Sequence, residues 1–132
     1  MNIVRYILLL GALAFSFALE LREISRLEES DGLPGAEIVA YVPEQKILVV
    51  ASGDEELSVV SFKEPSKPRI ENILHFRGDV PSVAAYRNLV AVAETNSPET
   101  APGFLHLFRV KDRDLVKLRT FSVGAQPDMV AF

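Results

Sequence analysis

The 132-residue chain contains no cysteine. That removes any disulfide framework, any thiolate metal site and any thiol nucleophile. Positive charge is also scarce. Lys and Arg number 14 against 18 Asp and Glu, for a net charge of −4. Such a balance gives no electrostatic drive toward DNA, RNA or an anionic membrane surface. Long hydrophobic runs are missing too. The longest uncharged stretch, Tyr6 to Leu19, is 14 residues, short of the roughly 20 that span a bilayer. No N-glycosylation sequon survives, because Asn96-Ser97 is followed by Pro98. Nucleophile-elbow, P-loop and His-rich zinc patterns are all absent.

The N-terminal stretch reads as a secretory signal peptide. Arg5 supplies the positive start, and Ile7 to Phe15 forms the apolar region. Ser16 and Ala18 put small residues three and one before a break, which places cleavage after Ala18. The segment 1–18 is therefore expected to leave. What remains, 19–132, is expected to be secreted and extracellular or associated with the cell surface, with no membrane span after cleavage.

The remaining sequence repeats itself. Gly35 to Tyr41 reads GAEIVAY, Val80 to Tyr86 reads VPSVAAY, and Ala125 to Phe132 reads AQPDMVAF. The closing aromatics, Tyr41, Tyr86 and Phe132, are 45 and 46 residues apart. A period of about 40–50 residues filled with short β-type runs is the signature of propeller blades. The first unit offers four strands. These are Ile38 to Tyr41, Ile47 to Ser52, Leu57 to Phe62, and a more polar Ile70 to Phe76. The second offers Ser82 to Tyr86, Leu89 to Ala93, Phe104 to Val110 and Leu115 to Val123, with a long polar loop over Thr95 to Gly103. Turn residues separate the runs. Leu19 to Glu29 fits helical spacing and strand alternation equally.

These observations predict an all-β chain built from β-propeller repeats, about two four-stranded blades plus the start of a third. The expected divisions are an N-terminal strand and linker over 19–34, a first blade over 35–78, a second over 79–123, and a third beginning at 124–132. A blade cannot cover its own two faces. The chain is thus expected to belong to a longer propeller, or else to self-associate through its open blade faces.

The sequence resembles the N-terminal part of the choice-of-anchor I family, secreted or cell-surface propeller proteins related to mesenchyme-specific cell surface glycoprotein. The resemblance rests on Glu37-Ile38-Val39-Ala40-Tyr41, on Leu89-Val90-Ala91-Val92-Ala93 and on Val123-Gly124-Ala125-Gln126-Pro127-Asp128-Met129-Val130. It implies a seven-bladed type of propeller and a strand over Leu19 to Glu28. The loop Thr95 to Gly103 departs from the family pattern.

Candidate chemistry is sparse. Acidic residues recur at turns and strand ends: Glu37, Asp54, Glu55, Glu56, Asp79, Glu94 and Asp128. Asp79, Glu94 and Asp128, near blade starts, are the candidates for a ligand, a phosphate ester or Ca²⁺, which would need six to eight oxygens or so. Acids at turns also serve simply as caps and as a solvated rim. No metal-ligand spacing, no cofactor motif and no catalytic residue stands out. Of the two histidines, His106 is expected to point to solvent or a polar edge, and His75 lies near a strand end. Phe76, Phe104 and Phe108 read as core. Two functions fit: a scaffold binding an extracellular protein or a glycan, and a metal-dependent phosphoesterase of the propeller type, like phytases or alkaline phosphatases.

Overall fold

The computed structural model describes residues 20–132, apart from positions 34 and 53. The expected signal segment and its cleavage site lie outside the described residues.

Eight strands follow a short 3-10 turn at Glu29–Asp31. The first four are β1 (Ile38–Val42), β2 (Ile47–Ala51), β3 (Glu56–Ser61) and β4 (Arg69–His75). The second four are β5 (Ser82–Tyr86), β6 (Leu89–Glu94), β7 (Pro102–Lys111) and β8 (Asp114–Ala125). Each set forms one antiparallel sheet with its strands in chain order. The expected all-β class and both sets of four strands are present.

Local chemistry explains the meanders. β-Branched residues dominate β2, and Val59 and Val60 fill the middle of β3, where both faces of the strand are covered. Two-residue turns join β5 to β6 and β7 to β8. In the second, Asp112 and Arg113 both take positive φ, at 52° and 65°. Two left-handed residues in succession match the right-handed twist of the flanking strands. β7 and β8 slip register twice, between Pro102 and Phe104 and between Leu107 and Phe108, which lets twelve residues of β8 follow ten of β7.

The two sheets face each other across a shared core. Ala40, Val42, Ile47, Val49, Leu57 and Val59 from the first meet Val83, Val90, Val92, Phe108 and Val110 from the second. The chain leaves the outer strand β4, crosses over residues 76–81, and enters β5, which lies against β1. Val80, fully buried, anchors that crossing, and its amide donates to the Asp54 carbonyl at 3.0 Å. The outer strands border water: β4 and most of β8 are exposed or half-buried.

Two expectations are corrected. Glu20 to Glu28 forms no strand. No neighbouring strand offers it a ladder, and it is tied down instead by the Ser25 hydroxyl donating to the Pro65 carbonyl at 2.6 Å. Of residues 124–132, expected to open a third blade, Gly124 and Ala125 continue β8 and 126–132 carry no strand. They nevertheless run beside β5. The Val130 amide donates to Ser82 Oγ at 3.1 Å, and Phe132 packs on Tyr86 with ring centroids 5.9 Å apart.

Candidate functional site

The clearest concentration of chemistry lies where the two sheets splay apart, beyond the core. In the second sheet, cross-strand pairing aligns Val92 with His106 and His106 with Thr120. Strand alternation places Phe104, His106 and Phe108 on the face turned toward the first sheet. Glu94, at the end of β6, pairs with Phe104. The result is a buried polar row within an apolar layer.

His106 is 5% exposed and Glu94 is likewise 5% exposed. This corrects the expectation that His106 faces solvent. Its neighbours Leu105 and Leu107 take the opposite face, so the polar residue turns inward. His106 Nε2 stands 2.5 Å from Glu94 Oε2, and Nδ1 stands 2.8 Å from Thr120 Oγ1. The other Glu94 oxygen accepts backbone amides from Arg77 at 2.7 Å and Gly78 at 3.1 Å. Both carboxylate oxygens are therefore engaged, as burial of a charge demands. Burial alone pushes the Glu94 carboxyl up. The His106 hydrogen bond, the two amides and the His106 charge together outweigh it and hold the carboxyl below its ordinary value. With Glu94 ionised, Nε2–H donates to it, and in the neutral ring Nδ1 accepts the Thr120 hydroxyl.

Aromatic rings wall the row. Phe76 and Phe108 meet edge to face at 6.4 Å, and Phe76 lies 5.3 Å from the His106 ring. Above it opens a cleft of about 360 Å³, lined by Phe76, Phe104, Glu94, His106 and Thr120, with His75, Arg77 and Lys117. Lys117 Nζ sits 5.6 Å over the Phe108 ring. Phe108 is core, as the sequence suggested, whereas Phe104 is only half-buried and lines the cleft.

The three acidic candidates do not converge. Asp79 and Asp128 line a second depression with Thr95, Glu99 and Gln126. Asp79 also borders Asp54, Glu55 and Glu56. Glu94 belongs to the inter-sheet cleft alone. Among the described residues, no three His, Asp or Glu side chains are grouped to hold a metal ion. The residues that sequence reasoning passed over are Arg77, Lys117 and Thr120. The pairing register brings Lys117 and Thr120 to the site and the crossing after β4 brings Arg77, and the one prior signal was a histidine in an alternating strand.

The geometry can be set beside known proteins. No curated protein and no solved structure matches the chain. The model of the choice-of-anchor I domain matches residues 37–132, which take in all eight strands. By that match, over far more than half its length, the chain belongs to the choice-of-anchor I domain family.

Proposed function

We propose that this chain is a piece of a β-propeller that works outside the cell, at or near the cell surface, as a scaffold binding an extracellular protein or a glycan. The observation that carries the architecture is the stacking relation. β5 lies against β1, and the stretch 126–132 runs beside β5, where Val130 bonds to Ser82 and Phe132 packs on Tyr86. Two four-stranded meanders with a shared core have the layout of adjacent blades. The surface setting draws support from the family match and from the signal-like start of the sequence. The binding role is inferred from the scaffold and its cleft, since fold by itself does not assign function.

The phosphoesterase alternative gains no support. Asp79 and Asp128 stand apart from Glu94, and both oxygens of Glu94 are already engaged within the protein.

The test is the native product. Its intact mass and N-terminal sequence would be determined after capture with an antibody to the region following residue 18. The same material would be applied to a glycan array and to cells. A mature N-terminus at Leu19, recovery outside the cell, and saturable binding to one class of glycan or surface protein are expected. Retention inside the cell, or no binding in either format, would overturn the reading.

A further inference from the structure

We propose that the inter-sheet cleft is a site for an acidic saccharide, with the sugar's anionic group held by Arg77 and Lys117 and its ring lying against Phe76 and Phe104. This deepens the scaffold reading above and rests on it for the glycan class.

Charge is the first argument. The protein as a whole is negative, at −4. The cleft has the opposite balance: two permanent cations, Arg77 and Lys117, stand against one carboxylate, Glu94. That carboxylate is consumed internally by His106 and by the amides of Arg77 and Gly78. His75 is paired with Glu56, at 3.3 Å. Among the described residues neither Arg77 nor Lys117 forms an ion pair. Two cations that no acid answers, converging on one concavity of an acidic protein, are the complement of a ligand anion.

Shape and surface chemistry are the second. At about 360 Å³ the cleft falls in the small-ligand range of roughly 300–1,000 Å³ and suits one or two pyranose rings. The half-buried rings of Phe76 and Phe104 give an apolar wall for the C–H face of a sugar. The Thr120 hydroxyl, oriented by His106, is a polar group set beside that wall. The platform is also held firmly. Glu94 ties β6 to the chain crossing at residues 77–78, and His106 ties β6 to β8. A preformed wall costs less ordering when a ligand arrives.

The experiment is amide-resolved NMR titration of the chain with glucuronate, glucose and inorganic phosphate, repeated on Arg77→Gln, Lys117→Gln and the double variant. Both side chains are solvent-facing, so the variants are expected to fold, and their unperturbed spectra would establish it. Glucuronate should shift the amides of Arg77, Gly78, Phe104 and Thr120. Each single substitution should weaken it about tenfold, as loss of one charge-assisted contact does. Glucose should bind far more weakly. Phosphate binding as tightly as glucuronate would overturn the saccharide assignment. So would no shift with glucuronate, or shifts unchanged in the double variant. A glycan array separates the two readings. Neutral-glycan binding that the double variant retains overturns this inference and leaves the scaffold standing. Loss of acidic-glycan binding in the double variant supports both.

Discussion

Glu94 and His106 illustrate how a buried polar pair is held in an all-β core. Each donor or acceptor of the pair has a partner, and beyond the β6–β7 pair itself the partners come from two places: β8 and the crossing after β4. Removing one member leaves others stranded. Glu94→Ala would orphan His106 Nε2–H and two backbone amides, so a loss of roughly 3–5 kcal/mol is expected, read by denaturant unfolding. Glu94→Gln keeps an acceptor and should cost clearly less. The pH dependence has a definite sign. The folded-state pKa of Glu94 lies below its ordinary value of 4.5. The unfolded chain therefore binds this proton more readily. The stabilisation is fully present above about pH 4.5 and is lost as pH falls through the lower folded value. Unfolding curves from pH 6 downward, compared between the parent chain and Glu94→Gln, should show a shallower acid-side fall in the variant. An equal fall in both would remove Glu94 from the explanation.

At the scale of the element, glycine positions show how closely strands approach their surroundings. A Cβ on Gly78 would stand 2.2 Å from the Thr95 carbonyl oxygen, and one on Gly103 would stand 2.7 Å from the Glu94 carbonyl oxygen. At Gly78 the obstacle is backbone, and at Gly103 it is backbone together with the Pro127 ring at 2.5 Å, none of which a rotamer change relieves. Gly78→Ala is expected to destabilise by about 2 kcal/mol or more through forced separation of the crossing from the end of β6. Since Gly78 also donates to Glu94, thermal unfolding and the His106 ring resonances should change together. Phe108→Ala, at a core position 1% exposed, should cost about 3–5 kcal/mol while leaving the Glu94–His106 hydrogen bond in place.

The strands themselves were legible because their signal is local. Runs such as Ile47 to Ala51 and Leu89 to Ala93 are β-branched or apolar, and turn residues bound them. The cleft was not legible, because it depends on register. Phe104 to Val110 carries apolar residues on both faces, so polarity alone did not tell which way His106 turns. Thr120 and Lys117 become its neighbours only through the β7–β8 pairing and the register slip at Leu107 and Phe108. The N-terminal stretch failed for the opposite reason. Its alternation was real but weak, and a strand needs a partner edge that Glu20 to Glu28 does not have.

Across the whole molecule the two sheets are covered unequally. Their facing surfaces share one core. The far side of the first sheet, with Val39, Leu48, Val50 and Val60, is partly roofed by Leu27 and Leu33, leaving a cleft of about 250 Å³. The far side of the second sheet shows Tyr86, Val116 and Phe121 at 52%, 48% and 41% exposure. Register puts Val116 opposite Arg109 and Phe121 opposite Leu105, both on that face. Apolar side chains grouped on one sheet face mark a surface built to be covered. In the propeller reading the next blade covers it. For the 132-residue chain by itself, the expected outcome is concentration-dependent self-association through this face, visible by sedimentation velocity. Phe121→Lys and Val116→Lys together should shift the distribution toward monomer. They should do so with little loss of folding stability, since neither side chain belongs to the shared core. A parent chain that stays monomeric at high concentration would show that this face does not drive assembly. The double variant should also leave the cleft chemistry unchanged, because Phe121 and Val116 point away from the face that carries His106 and Thr120. Association and ligand binding would then be separable properties of the same sheet, one on each face.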